Sequence, residues 1–161
     1  IQVWTFCNAS LFSDKVQERY YEYVKKSIFG FSVDSATPET YKKIRRRDYF
    51  DIVKRNLTTY FKKCREDDER WDESFIANNI NMWNVHEVSD MVRYAKEVGA
   101  PHIQFVPTHG EDAGYNLPRK YYCNSDNWQI FDEAQEKAIE VGKEIGQSVQ
   151  FYVPLHRGFK K

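Results

Sequence analysis

The chain has 161 residues, a length that suits one domain and leaves little room for two hydrophobic cores. Lys and Arg number 24 together, and so do Asp and Glu. The formal net charge is therefore zero, and no net charge attracts a nucleic acid or an anionic membrane. The 41% hydrophobic content excludes a disordered chain, and no apolar run approaches the roughly 20 residues that span a bilayer. We therefore expect a soluble, cytoplasmic single domain over residues 1–161.

The start of the chain predicts two strands with a helix between them. The β-branched and aromatic run Ile1–Phe6 predicts the first strand, and apolar residues at helical spacing behind Ser13 predict a helix. The run Ile28–Val33 is apolar at nearly every position, as in a strand that is buried on both faces of a parallel sheet.

Two helices and a third strand are predicted next. Thr37 followed by Pro38 is typical of a helix start, because the hydroxyl caps an N–H group and proline lacks one. This short helix should end near Ile44. Apolar residues three and four positions apart then predict a long helix over 50–64, and Phe75–Ala77 predicts the core of the third strand.

The next unit is predicted to be a helix followed by a strand. Asn84, with Glu87 three positions later, matches a capping box at the start of a helix. Gly99 is typical of the residue that ends such a helix. His102–Val106 predicts the fourth strand.

The last part of the chain contains a long aperiodic segment over 107–124, and loops of that length in a compact domain are usually functional or disordered. A long helix closed by Gly146 and a fifth strand over 148–153 follow. Alternating strands and helices predict a five-stranded parallel α/β sheet with right-handed crossovers, either open or curled as a barrel. Polar side chains at the carboxyl ends of its strands should line the binding face.

Several common site motifs are absent from the sequence. The glycines are scattered, so neither a Rossmann fingerprint nor a P-loop is present, and there is no G-x-S-x-G nucleophile elbow. Cys7, Cys64 and Cys123 are far apart in the sequence, so no local thiolate cluster is predicted. We expect each of them to be a small buried or half-buried side chain.

Two polar clusters have both a functional and a structural explanation. His109 with Glu111 and Asp112 could bind a metal ion, but a polar surface loop explains the same residues and is preferred. The basic run Lys42–Arg47 could bind a phosphate or carboxylate group. The solvated end of a helix is the favoured explanation for this run as a whole, although single arginines could differ.

Three stretches match motifs that occur together in one enzyme family. Residues 31–45, FSVDSATPETYKKIR, match S-x-D-[GS]-x-x-x-E-x-[YF]-x-x-[IL]-R. Residues 5–12 match a T-N-G-x-L-[LF] turn, with Cys7-Asn8-Ala9 in place of T-N-G. Residues 84–105 match an N-x-x-E-[LIV] helix, its A-K-E-x-G end and the strand that follows. From residue 1 to about residue 110, the chain therefore resembles the radical S-adenosylmethionine (SAM) enzymes of the SPASM and twitch-related group.

This resemblance implies a partial (β/α)6 barrel, of which the chain would be a C-terminal portion from the third strand onward. It implies SAM and a [4Fe–4S] cluster as cofactors of the intact enzyme. The family's CxxxCxxC segment and the glycine-rich segment after its second strand are absent from this sequence. We therefore expect a truncated or partial radical SAM domain that binds no cofactor stably and does not cleave SAM by itself.

The same resemblance implies which residues face SAM. Ser32 and Arg45 match positions that hold its amino-carboxylate end, through a hydroxyl and a charge-assisted pair. Asp34 could orient the ribose or could form an Asx-turn. Asn78 and Asn79 could contact ribose or substrate, although a strand-end hydrogen bond explains them as well. No catalytic or metal-binding residue is predicted within the chain.

The alternative function is a non-catalytic α/β binding or interaction module on the same scaffold. A CxxxCxxC segment upstream in the parent reading frame would favour the enzyme. The predicted sheet begins at residue 1 without the family's first strands, so one edge should be unpaired. We expect a homo-oligomer, or the missing N-terminal half of the barrel, to cover that edge near Trp4 or Phe6.

Overall fold

The computed structural model describes residues 3–23, 27–66, 73–108 and 119–152. The strands are β1 (Val3–Cys7), β2 (Ser27–Ser32), β3 (Phe75–Ile80), β4 (His102–Pro107) and β5 (Ser148–Phe151). The helices are α1 (Asp14–Tyr23), α2 (Pro38–Arg45), α3 (Phe50–Glu66), α4 (Val88–Val98) and α5 (Trp128–Ile145). Two short 3₁₀ helices span Val85–Glu87 and Arg119–Tyr121. None of the described helices is long and apolar enough to cross a membrane.

The strands form one parallel sheet in which each strand pairs with the next in the order β1-β2-β3-β4-β5. With right-handed crossovers, this order puts the connecting helices on a single face of the sheet. The carboxyl ends of the strands then lie side by side along one end of the sheet, the carboxyl edge. The predicted five-stranded parallel α/β architecture is confirmed.

The helix-covered face of the sheet forms the hydrophobic core. Phe31, Ile76 and Phe105 on the middle strands have no solvent exposure and belong to one apolar cluster with the helices. The ring of Phe31 lies edge-on to that of Tyr60 in α3, with centroids 4.9 Å apart. Full burial of one such side chain stabilises the fold by about 1.5–3 kcal/mol. This face therefore provides most of the apolar burial in the described part of the chain.

The opposite face carries the alternate side chains of the same strands. Trp4 and Phe6 on β1 are each 63% exposed there. The ring of Phe6 lies across Gly30 on β2, so a Cβ atom at this position would require the ring to move. The edge of Phe6 also contacts the ring of Phe75, at a centroid distance of 6.0 Å. Around Trp4, Phe6 and Phe75, this second face is thus apolar and, at β1, open to solvent.

Three helix boundaries agree with the sequence signals. The hydroxyl of Thr37 accepts the N–H of Thr40 at 3.3 Å, and Pro38 is the first residue of α2. Gly99 and Gly146 end α4 and α5 with φ values of 82° and 65°. These angles lie in the left-handed region, which glycine adopts without the steric cost of a Cβ atom.

The predicted capping box at the start of α4 is wrong. Neither Asn84 nor Glu87 makes a side-chain cap there, and a 3₁₀ turn precedes the helix. The amide of Asn84 donates to the carbonyl oxygens of Asp34 and Asn79, at 2.6 and 2.8 Å. Glu87 accepts hydrogen bonds from the segment that starts α2. A local bond to Asn79 and contacts with a segment about 50 residues away take the place of the cap.

Some of the sequence predictions lie wholly or partly outside the described residues. Ile1 is one case, and the observed β1 begins at Val3. The possible metal ligands His109, Glu111 and Asp112 also fall in an undescribed range. Of the aperiodic segment 107–124, the structure describes 107–108 and 119–124, including the second 3₁₀ helix.

Candidate functional site

A connected group of polar side chains lies at the carboxyl ends of β2 and β3. Its centre is Arg45, the last residue of α2, whose Nη2 atom contacts three oxygens. These are the hydroxyl of Ser32 at 2.7 Å, the carbonyl of Ser32 at 3.2 Å and Oδ2 of Asp34 at 2.6 Å. The arginine therefore joins the end of α2 to the end of the strand that precedes it.

The local sequence explains why Arg45 reaches this position. Thr37 and Pro38 start α2 close to the end of β2, and Arg46 ends the helix in a left-handed conformation with φ of 56°. The helix is only eight residues long, so its last side chain can still contact the strand end. The sequence predicts that Ser32 and Arg45 lie together, and the structure shows their hydrogen bond.

The rest of the basic run behaves as a solvated helix end. Lys42 lies 3.8 Å from Asp48, and both side chains are at least 68% exposed. Arg46 and Arg47 are exposed. An exposed ion pair of this kind contributes about 0–1 kcal/mol. Arg45 is the member of the run whose guanidinium bonds to residues at the carboxyl end of β2.

Asp34 is buried directly behind this arginine, with 6% of its surface exposed. Its Oδ1 atom accepts the backbone N–H of Asn79 on β3 at 3.2 Å. Burial raises the pKa of the Asp34 carboxyl, and Arg45 and the Asn79 N–H offset part of this rise. Asp34 does not form the Asx-turn, because the N–H of Ala36 is donated to Glu87.

The two asparagines at the end of β3 have different environments. Asn78 is 1% exposed, and its Nδ2 atom donates to the carbonyl of Val33 at 2.9 Å, which is the predicted strand-end hydrogen bond. Its Oδ1 atom is buried without a partner among the described residues. Asn79 is exposed, so it is the residue of this pair that a ligand could reach.

Glu87 ties two neighbouring loops together. Its carboxylate accepts the N–H of Ala36 at 2.9 Å and the Thr37 hydroxyl at 2.6 Å, together with the hydroxyl of Thr40. The side chain is only 5% exposed. Its negative charge also lies at the N-terminus of α2, which favours an anion. The N-x-x-E pattern is the one sequence signal that singles out Glu87, but that pattern predicts a local cap.

An aromatic pair lies just beyond the carboxyl end of β3. The rings of Trp83 and Tyr121 have centroids 5.0 Å apart, and Nζ of Lys43 lies 5.9 Å from the Trp83 ring. The carbonyl of Tyr121 accepts the N–H of Met82 at 3.0 Å, which ties the second 3₁₀ helix to the loop after β3. No periodicity in the sequence indicates this contact.

The described cysteines do not fit a [4Fe–4S] cluster. Cys7 is half-buried at the end of β1, whereas Cys64 in α3 and Cys123 after the second 3₁₀ helix are buried. Burial raises the pKa of Cys7 and raises that of Cys123 to about 11, which disfavours the thiolates that bind iron. Within the described ranges, no three His, Cys, Asp or Glu side chains are grouped as metal ligands.

No protein-family model and no curated protein sequence matches the chain. Solved structures of anSMEcpe, an anaerobic sulfatase-maturating enzyme, with bound AdoMet (SAM) have a similar fold. The native form has a TM-score of 0.61 at 18% identity, and a hexahistidine-tagged form has a TM-score of 0.62 at 20% identity. A third structure, with AdoMet and the Kp18Cys peptide, has a TM-score of 0.61 at 20% identity.

Each match covers 92% of this chain and 39% of anSMEcpe. The chain therefore spans about two fifths of the length of these neighbours. At such identities the likeness establishes the fold alone. The predicted fold class, five parallel strands in one α/β sheet, is confirmed, and it matches part of the barrel of these neighbours.

Proposed function

We propose that this chain forms the SAM-facing part of a radical SAM-type enzyme barrel, with Ser32 and Arg45 binding the amino-carboxylate end of SAM. The observation that carries this proposal is the position of Arg45, which lies on the Ser32 hydroxyl at the carboxyl edge of the sheet. Active sites of parallel (β/α) barrels lie at this edge. The fold likeness to structures that hold AdoMet supports the same assignment.

The chemistry of the two side chains suits a carboxylate ligand. A guanidinium and a hydroxyl together provide charge-assisted hydrogen bonds to carboxylate oxygens. Arg45 remains 29% exposed, so a ligand can reach it. The contacts of its guanidinium described above are all made by Nη2, and Nε is buried without a partner among the described residues. The Nε donor is therefore unpaired but buried, so a ligand would meet the exposed part of the guanidinium.

We propose further that the chain is a partial radical SAM domain that does not cleave SAM on its own. Reductive cleavage in the family depends on a [4Fe–4S] cluster, which requires converging thiolates. The sequence has no CxxxCxxC segment, and its described cysteines do not converge. A second polypeptide segment with the cluster ligands would have to complete the site.

Equilibrium dialysis with labelled SAM tests the binding proposal on the 161-residue chain. We expect weak binding, with a Kd of about 1 mM or above, because the chain supplies only part of the site. Arg45→Met should weaken it at least tenfold. The matched control is Arg47→Met, in the same basic run but exposed, which should leave binding unchanged. Equal binding by both variants and the unmodified chain would contradict the proposal.

A non-catalytic binding module on the same scaffold is the second candidate. The lack of converging cysteines among the described residues favours it. The two candidates differ in whether a [4Fe–4S] cluster is bound next to this site in the complete protein. Reading the parent frame upstream of the chain separates them, because a CxxxCxxC segment there supports the enzyme, whereas a complete frame without one supports the module.

We also propose that the outer edge of β1 pairs with another strand. β1 is an edge strand of the described sheet, and Trp4 and Phe6 expose apolar surface beside that edge. For the isolated chain, the expected partner is a second copy. Static light scattering at micromolar concentration should therefore give a mass above the 19.2 kDa of one chain. A clean monomer mass would exclude this pairing.

A further inference from the structure

We infer that Asp34 is a positioning residue, which acts through Arg45 and does not contact the ligand itself. The inference rests on the proposed binding of a carboxylate by Ser32 and Arg45. Oδ2 of Asp34 lies 2.6 Å from Nη2 of Arg45. Its side chain is 9% exposed, against 29% for the arginine. A ligand at the sheet edge therefore meets the guanidinium, with the carboxylate of Asp34 behind it.

The position of Asp34 is fixed from the neighbouring strand. Its Oδ1 atom accepts the N–H of Asn79 at 3.2 Å, which orients the carboxylate. Its backbone carbonyl accepts the amide of Asn84 at 2.6 Å. The preceding carbonyl, that of Val33, accepts Nδ2 of Asn78 at 2.9 Å. Asp34 therefore provides a rigid anchor that is built into the β2–β3 junction.

A rigid anchor matters because arginine is long and has many rotamers. A guanidinium that is already held at the sheet edge loses little conformational freedom when a ligand binds, whereas a freely rotating one loses much more. Asp34 keeps Arg45 on Ser32 in the absence of a ligand. Without the carboxylate, the arginine would sample solvent-facing rotamers, and the binding of a carboxylate would weaken by about tenfold.

A pair of ligands separates this role from direct contact with the ribose. SAM carries the amino-carboxylate end, whereas 5′-deoxy-5′-methylthioadenosine keeps the adenine and ribose but lacks that end. If Asp34 acts through Arg45, Asp34→Asn weakens the binding of SAM about tenfold and leaves the thioether nucleoside unchanged. Adding Asp34→Asn to Arg45→Met should then cause no further loss.

Two results of the binding experiment would overturn the inference. Equal weakening of both ligands by Asp34→Asn would place the carboxylate on the ribose or in the general support of the fold. Unchanged binding of both ligands would show that Arg45 needs no anchor. If Arg45→Met itself does not alter the binding of SAM, the proposed function fails instead, and the ligand-free measurement below then decides the role of Asp34.

The ligand-free measurement uses the ¹⁵N–¹H NMR signals of arginine Nε groups in the 161-residue chain. We expect the heteronuclear NOE of Arg45 to match that of the rigid backbone, while that of the exposed Arg47 is low. Asp34→Asn should lower the Arg45 value toward that of Arg47. If Asp34→Asn does not fold, the unmodified chain alone is decisive, because an Arg45 as flexible as Arg47 would overturn the inference.

Discussion

The two ends of the sheet use similar side chains in different ways. At the amino end, the guanidinium of Arg65 lies against Gly99, and Lys96 donates to the carbonyl of Gly146 at 3.2 Å. The amide of Gln147 donates to the carbonyls of Ala100 and Pro101. The Lys96 ammonium and the Gln147 amide thus satisfy carbonyl groups around the ends of α4 and α5, where positive charge is favoured.

At the carboxyl end of the sheet, several buried polar atoms have no hydrogen-bond partner among the described residues. Of the seven buried side-chain atoms without a hydrogen bond in the described part of the chain, three lie here, on Ser35, Arg45 and Asn78. None belongs to the amino-end residues named above. Buried polar groups are usually paired, so these three atoms set the carboxyl end apart from the amino-end residues named above. This difference is consistent with the proposed placement of the ligand at the carboxyl end.

The largest effect is expected from removing the carboxylate that holds the carboxyl end together. Glu87→Ala should lower the free energy of unfolding by about 3 kcal/mol, because one backbone N–H and two hydroxyls lose a charged acceptor. Urea denaturation measures the change. The control is His86→Ala on the same turn; its Nε2 lies 3.7 Å from Oε1 of Glu87, but the side chain is 65% exposed, so this change should cost at most about 1 kcal/mol. A loss of less than about 1 kcal/mol for Glu87→Ala would show that this tie is unimportant.

An intermediate effect is expected at the amino end. Gly99→Ala should cost about 1–2 kcal/mol of unfolding free energy, because φ is 82°, in the left-handed region that disfavours a Cβ atom. The added Cβ also meets the guanidinium of Arg65, but this is the end of an exposed side chain that can move aside. Gly146→Ala, with φ of 65° and nothing within 4 Å of an added Cβ, should cost about the same. Neither variant should alter the binding of SAM, and a loss of binding would contradict the assignment of the ligand to the other end.

The smallest effect concerns the protonation of Asp34. Its carboxyl should titrate above the ordinary aspartate pKa of about 3.9, because burial disfavours the charge. The folded chain then binds this proton more tightly than the unfolded chain. The contribution of Asp34 to stability therefore increases as the pH falls through its folded pKa and is lost as the pH rises again.

Arg45→Met should raise this pKa further, because a positive charge beside the carboxylate is lost. Arg47→Met should leave it unchanged. The pKa is read from the side-chain ¹³C signal of Asp34 during a pH titration. A value below about 3.9 in the unmodified chain would mean that Arg45 and the Asn79 N–H outweigh burial.

Much of the fold could be predicted from local sequence patterns. The apolar stripe of α3 and the Thr37–Pro38 start of α2 agree with the structure because both signals act within a few residues. The capping box failed because Asn84 and Glu87 bond to atoms on a segment about 50 residues away. Local spacing contains no information about such partners, so a short-range motif was the wrong physical explanation.

The candidate site was predictable in part for the same reason. Ser32 and Arg45 belong to one strand-loop-helix segment, so a single sequence motif contains both residues. The supporting contacts of Asp34 with Asn79, and of Trp83 with Tyr121, connect different segments. They depend on which strands are neighbours in the sheet, and that information appears only when the parallel order is known.

The most direct test of the central claim follows Arg45 during a ligand titration of the unmodified 161-residue chain by NMR. Added SAM, at millimolar concentration, should shift the Arg45 Nε signal and the backbone signals of Ser32 and Asp34. The same concentration of 5′-deoxy-5′-methylthioadenosine, which lacks the amino-carboxylate end, should leave the Arg45 signal in place. Equal shifts with both ligands, or shifts confined to the amino end around Arg65 and Gly99, would contradict the account.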